Sequence, residues 1–152
     1  MSVKVTAEDV QRAILELNAL EQLIQEFQAR LMAMDASIIE HEKSLAFIDE
    51  LIKSNEALTV LMPIGAGGLI EVTIASRDKV RINIGQGIYL DAPLERGKEI
   101  VNKRRELLER GRMELQKNLQ AYLQRAELLR RFLSRVEQSI QRQQSAPKRT
   151  SQ

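Results

Sequence analysis

Apolar residues recur along the first third of the chain at intervals of seven. Val10, Leu17, Ile24, Leu31, Ile38, Leu45 and Ile52 share one heptad position, a, and every one is aliphatic. Position d then holds Ala13, Leu20, Phe27, Met34, His41, Ile48 and Asn55, five of them apolar. No Gly or Pro occurs before Pro63. A seam of this length predicts a coiled-coil helix over 6–56. Thr6 is placed to cap it, with Glu8 and Asp9 near the positive end of the helix dipole.

The last third repeats the pattern. Val101, Leu108, Leu115, Tyr122, Leu129 and Val136 are spaced by seven, and Leu119, Ala126, Leu133 and Ile140 join the same stripe four residues after its later members. Arg104 and Gly111 interrupt the early part, which predicts loose packing near Gly111. The second helix is expected over 93–144, with Pro93 in its first turn, where a missing N–H costs nothing. Residues 145–152 read as a disordered tail. Two helical stretches of nearly equal length suit antiparallel pairing, with Val10 beside Ile140 and Ile52 near Arg96 or Lys98.

Between them, 57–92 changes character. Leu58–Ile64 and Leu69–Ile74 are rich in β-branched residues, Val80, Ile82 and Ile84 alternate with Arg81 and Asn83, and Ile88-Tyr89-Leu90 makes a fourth short run. Gly65-Ala66-Gly67-Gly68 and Gly85-Gln86-Gly87 supply turns. Ile64-Gly-Ala-Gly recurs as Ile84-Gly-Gln-Gly twenty residues on, so the segment reads as two β-hairpins joined by residues 75–78. Such short strands do not bury both faces or close their edges alone. The hairpins are therefore the expected assembly surface, through Val60, Met62, Ile64, Leu69, Ile70, Val72, Ile74, Val80, Ile82, Ile84, Ile88, Tyr89 and Leu90.

Charge sharpens the helical reading. Residues 6–56 carry 11 acids against 4 bases, and 94–144 carry 7 acids against 13 bases. Oppositely charged helices from one chain favour each other. A basic helix serving nucleic acid would need its charge free, whereas here an acidic partner is supplied, so no nucleic acid is expected. Aromatic residues make up only 3% of the 152 residues, which suits narrow apolar seams rather than a bulky core. The chain has no Cys, which excludes disulfides, thiolate catalysis and Cys-based metal sites. Its N-terminus lacks the apolar core of a signal peptide, and no run is long enough to cross a bilayer. A soluble, cytoplasmic protein without membrane contact is expected.

Candidate chemistry is sparse. The single histidine, His41, sits at a d position and reads as a polar break in the seam. The Gly65–Gly68 run lacks the helix N-terminus and Lys-Ser/Thr that a phosphate loop requires, because strand-forming residues follow it. Acid pairs such as Asp49/Glu50 lie on exposed helix faces with no cleft for paired-carboxylate catalysis. No catalytic residue, metal site or cofactor is expected, and the chain does not read as an enzyme.

A long helix, Met62-Pro-Ile-Gly-Ala-Gly67, Ile84-Gly-Gln-Gly-Ile-Tyr-Leu-Asp91 and a second long helix, in this order, resemble the α class of the prefoldin family from about Asp9 to Ile140. The β class has a single hairpin, so the second Ile-Gly-x-Gly favours α. The resemblance implies a mainly α fold: a long antiparallel two-helix coiled coil joined by two β-hairpins. It also implies a hexamer of two α and four β subunits built on a β-barrel platform. Non-native client proteins would be held at the coiled-coil tips and passed to a group II chaperonin, without nucleotide. The family pattern carries a bulky residue after the first Gly-x-Gly; Gly68, read as an insertion before Leu69, leaves the strand register open.

A holdase for many sequences needs apolar surface that is exposed yet soluble, and frayed helix ends offer it. The candidates are Val3, Val5, Val10 and Ile14 on one side and Leu133, Val136 and Ile140 on the other. Val10, Ile14 and Val136 also finish the seam, so either role fits them. Val3 and Val5 precede the helix and have no seam to fill. The competing reading is a structural α-class relative whose hairpins self-assemble into a homo-oligomer or filament.

Overall fold

The computed structural model describes residues 5–54, 56–75 and 77–145. The order is α1 (Ala7–Lys53), β1 (Leu58–Gly65), β2 (Gly68–Ile74), β3 (Lys79–Gly85), β4 (Ile88–Pro93) and α2 (Leu94–Ser145). The described residues fall into two compact units, 5–33 with 112–145 and those within 34–111. Val3 and most of the expected tail, 146–152, lie outside the described residues.

In the first unit the N-terminal part of α1 packs on the C-terminal part of α2. Ala13, Leu20 and Ile24 bury against Leu119, Ala126 and Leu129, with Leu17, Phe27, Leu31, Tyr122, Phe132 and Leu133 around them. All but Phe132 are seam residues named by the heptad reading. Ala126 has no exposed surface, and Phe27 meets Tyr122 edge-on at 5.2 Å between centroids. That geometry suits the aromatic quadrupoles and adds to the area buried. At the start of α1, Thr6 and Asp9 cap reciprocally: the Asp9 N–H donates to Thr6 Oγ1 (3.2 Å), while the Thr6 N–H and hydroxyl donate to Asp9 Oδ2 (3.0 and 2.7 Å). Helix-terminal donors that would otherwise be orphaned are thereby satisfied.

The second unit holds both hairpins and the helix segments that flank them. α1 stops at Lys53, short of the expected Glu56. Arg77 Nη1 donates to the Ser54 carbonyl and the Ser54 hydroxyl to the Glu56 carbonyl (3.2 Å), drawing the chain away from helical geometry. Leu45, Ile48, Ile82, Leu94 and Val101 form the core, flanked by Leu51, Ile52, Val80 and Ile100. Val80 and Ile82 therefore turn inward onto helices of their own chain. Both were expected at the assembly surface; here they pack within their own chain. The reason is Gly97: a Cβ there would lie 2.2 Å from Val80 Cγ1 and 3.3 Å from Ile82 Cδ1. Only glycine lets the strand approach this closely. Pro93 ends β4, paired with Lys79, rather than entering the first turn of α2; at a strand end its missing N–H disrupts no ladder.

Each hairpin is an isolated two-stranded antiparallel sheet, β1 with β2 and β3 with β4. Their registers match. Pro63 pairs with Leu69 and Gly65 with Gly68, as Asn83 pairs with Tyr89 and Gly85 with Ile88, each with a bulge before the turn. Gly68 is thus a replacement at the position of Ile88 and not an insertion, so neither strand slips. The Ile64 side chain takes the vacated space, 3.0 Å from where a Gly68 Cβ would be. Ala66 and Gln86 both have φ of 50°, followed by glycines at positive φ, the backbone of a two-residue hairpin turn matched to strand twist.

The expectation of loose packing at Gly111 also needs correction. A Cβ there would come within 3.0 Å of Met34 Cε, so Met34 already fills the gap. The two helical glycines consequently predict opposite outcomes. Gly97→Ala should destabilise by about 1–3 kcal/mol, because strand side chains must move. Gly111→Ala should be neutral or stabilising by up to about 1 kcal/mol, since a flexible methionine end yields and alanine favours helix. Urea unfolding of the two variants compares them directly.

Candidate functional site

Two surfaces in the structure carry apolar groups that their own chain leaves uncovered. The first is the hairpin pair. On hairpin one, Leu58, Val60, Met62 and Ile64 share a face with Ile70, Val72 and Ile74, because paired residues in the register point the same way. Val60, Val72 and Ile74 are half-buried, while Met62, Ile64 and Ile70 are exposed. The other face is mixed: Leu61 and Leu69 are exposed beside Pro63, and Thr59, Glu71 and Thr73 share that face.

Hairpin two differs. Its Val80 and Ile82 are taken by the helices, and Ala92 is 1% exposed on the same face. Ile84, Ile88, Tyr89 and Leu90 remain exposed nearer the turn. Its outer face is polar, where Arg81 donates twice to Asp91, Nε to Oδ1 at 2.6 Å and Nη2 to Oδ2 at 3.0 Å. These bonds hold the Asp91 carboxyl below its ordinary range and raise Arg81. Leu61 and Glu71 occupy the matching positions of hairpin one. Hairpin two is therefore half-satisfied within its own chain, and hairpin one is not.

The second surface lies in the first unit, along the outer parts of the helices. Val5 precedes α1 and is 46% exposed; Ile14 and Ile140 are similarly open. Val10, Leu133 and Val136 are half-buried, and Leu133 packs against the core that contains Ala13. The structure thus separates the tip candidates into open residues and residues also engaged in packing. The heptad reading missed another class: Leu15, Met32, Leu123 and Leu128 are exposed off the seam. An apolar residue at an outward heptad position was the available signal.

Charge complementarity takes a specific form. In the first unit Arg125 forks onto Glu16, Nε to Oε1 at 2.6 Å and Nη2 to Oε2 at 3.0 Å, and Arg130 reaches Glu21 at 2.8 Å. In the second, Lys98 meets Asp49 at 2.6 Å, where antiparallel pairing places it. Glu16 and Asp49 are held below their ordinary values, first by the hydrogen bonds from Arg125 and Lys98. Solvent-exposed pairs of this kind add little stability. Their larger effect is to fix which helix faces which.

No enzyme-like constellation emerges. His41 lies in a cleft of about 380 Å³ beside Glu40, Ser44 and Phe47, but its Nδ1 is 2.7 Å from the Ser37 carbonyl of its own helix. Both glycine turns open onto strands, β2 and β4, not onto helix N-termini. Among the described residues no group of three or more His, Asp or Glu could hold a metal ion, and no helix is long and apolar enough to cross a membrane.

Comparison with known proteins agrees with this geometry. The family model described as "Prefoldin subunit" matches residues 20–143. A curated prefoldin subunit alpha of Archaeoglobus fulgidus is 24% identical over 130 residues, which span 86% of this chain and 95% of that one. Another, of Methanothrix thermoacetophila, is 33% identical over 64 residues, a match that spans only 42% of either protein. Among solved structures, filamentous PFD from Methanocaldococcus jannaschii, determined by cryo-EM, is similar with a TM-score of 0.63. The sequence identity is 25%, and the alignment covers 75% of this chain and 94% of that one.

The interhelical pairs predict a small loss of stability in acid. A carboxylate whose folded pKa is lowered stabilises above its unfolded pKa, and this is lost as pH falls through the folded value. The melting temperature should hold steady from neutral pH to about pH 5 and drop below about pH 4. Glu16→Gln with Asp49→Asn should flatten that drop, as followed by circular dichroism at 222 nm.

Proposed function

This chain belongs to the prefoldin family, and from that premise we propose that it is an α-class subunit acting as an ATP-independent holdase. It would capture non-native proteins at the helix ends, suppress their aggregation and deliver them to a group II chaperonin from the cytoplasm. The family is of chaperone type and non-enzymatic, and membership implies assembly with other prefoldin subunits. The observation that carries the reading is the coexistence of two uncovered apolar surfaces on one small chain. One is the hairpin ribbon, suited to subunit contact; the other comprises Val5, Ile14 and Ile140, suited to client contact.

The energetics favour weak, multiple grips. A fully covered aliphatic side chain contributes roughly 1.5–3 kcal/mol, and association entropy consumes much of what a few such contacts supply. One subunit alone therefore holds a client loosely and releases it readily. Joining several subunits raises the effective concentration of the remaining grips and gives avidity without tight individual contacts. Two α with four β subunits is the proposed stoichiometry, with no nucleotide or metal required.

A second reading has one observation in its favour. The similar solved structure is of a filamentous PFD, so self-assembly through the hairpins into a homo-oligomer is the competing proposal. Strand edges and apolar faces that pair head-to-tail close into rings or extend as fibres. Mass measurement of the chain alone and with a β-class subunit separates the two: a discrete species converting to a hexamer supports the first, long polymers the second.

Two variants test the surfaces separately. Ile70→Lys should abolish assembly in light scattering while leaving helical ellipticity intact, because it charges the uncovered face of hairpin one. Removing residues 1–5 should preserve assembly but weaken suppression of aggregation of a denatured test protein. Unchanged suppression would remove Val3 and Val5 from the client surface.

A further inference from the structure

α2 carries an apolar surface that its seam does not use. Leu128 directly precedes the seam residue Leu129 and is 58% exposed. The groove beside it, about 590 Å³, is lined by Leu128, Arg130, Arg131, Ser134 and Arg135. A second groove of about 460 Å³ shares Leu128 and Arg131 and continues along the helix past Leu123 and Glu127. The result is a shallow strip on one helix, with exposed Leu128 flanked by guanidinium groups.

The walls are not equally neutralised. Arg130 is paired with Glu21 and Arg131 with Glu127, each at 2.8 Å. Arg135 uses its Nε on the Arg131 carbonyl at 3.3 Å and forms no ion pair with a carboxylate among the described residues. No acidic residue lines the groove of about 590 Å³. In the same unit α1 is acidic, with Glu8, Asp9, Glu16, Glu21 and Glu26 against Arg12 and Arg30, so attraction for a negative group is confined to α2. A guanidinium also matches a carboxylate in geometry, presenting two parallel donors.

Resting on the holdase reading, we propose that this face of α2 selects non-native segments in which an acidic residue lies about three positions from an aliphatic or aromatic one. The apolar side chain covers Leu128 and the carboxylate meets Arg135. A segment with lysine or arginine in place of the acid would bring like charge against Arg130, Arg131 and Arg135. Neither contact is strong alone. Leu128 and Arg135 stand two helical turns apart, roughly 10 Å along α2, so a segment must present both groups at that spacing, with charge setting discrimination and apolar burial setting residence.

The test uses two fluorescent disordered peptides with the same apolar residues, flanked by Asp/Glu in one and Lys/Arg in the other. Binding to the full chain is followed by anisotropy, and suppression of aggregation of a neutral test protein is measured in parallel. The acidic peptide should bind roughly three- to tenfold more tightly, a ratio that collapses toward one at high salt. Arg135→Glu should erase or invert the preference, and Arg135→Gln should reduce it. Both are surface changes that leave helical ellipticity unaltered. Leu128→Ser should weaken the acidic peptide at low salt.

Equal binding of the two peptides, or a preference untouched by Arg135→Glu, overturns the selectivity. Acidic-peptide binding indifferent to Leu128→Ser overturns it as well, since unspecific charge attraction then suffices. Suppression of aggregation by the wild-type chain without acid preference sinks this inference and leaves the holdase reading standing. Failure to bind either peptide or to suppress aggregation removes both.

Discussion

Mutual burial of two apolar stripes is the interaction on which everything else rests. α2 is polar around most of its circumference, and neither helix gains much stability from backbone hydrogen bonds alone. Covering Ala13, Leu20 and Ile24 with Leu119, Ala126 and Leu129 supplies what neither stretch has by itself. The stripes are narrow, so small residues matter as much as large ones. Ala126 allows close approach, and the few aromatic rings are spent where two of them can meet. Opposite net charge then rejects the like-with-like pairing that stripe burial alone would tolerate.

The hairpins obey a different constraint. They arise from an internal repeat with the same register and turn, yet the two copies have diverged in what covers them. One copy docks its inward face through the notch at Gly97 and solvates its outward face with an arginine–aspartate pair. The other carries Leu61, Pro63 and Leu69 on the corresponding outer face and has no place in its own chain's apolar clusters. One copy of the motif is thus engaged by its own chain, and the other is left largely uncovered.

Much of this was legible in the sequence because periodicity reports directly on burial. The heptad series named nearly every residue of the first core, and the repeated Ile-Gly-x-Gly located both turns. What escaped depended on contacts between distant segments. Gly97 sits in a helix among charged residues and nothing around it announces a strand packed on top. Val80 and Ile82 alternate like any half-buried strand, so their inward commitment was invisible without that partner. Gly111 looked like a defect until Met34 was seen to fill it. Gly68 could have been settled earlier: the two repeats align without a gap, with Gly68 opposite Ile88. The exposed apolar surface of the helices was only partly legible, since seam arithmetic draws attention away from outward leucines such as Leu128.

The imbalance between the hairpins bears on how much of this protein a cell can make. A ribbon with one apolar face, exposed leucines on the other and open edges is adhesive to any similar ribbon, including one on a newly made sister chain. Copies produced in excess of their assembly partners would be drawn to one another or to proteolysis. An excess of this chain over whatever caps that ribbon would therefore favour self-association, so a matched supply of the two would have a physical reason.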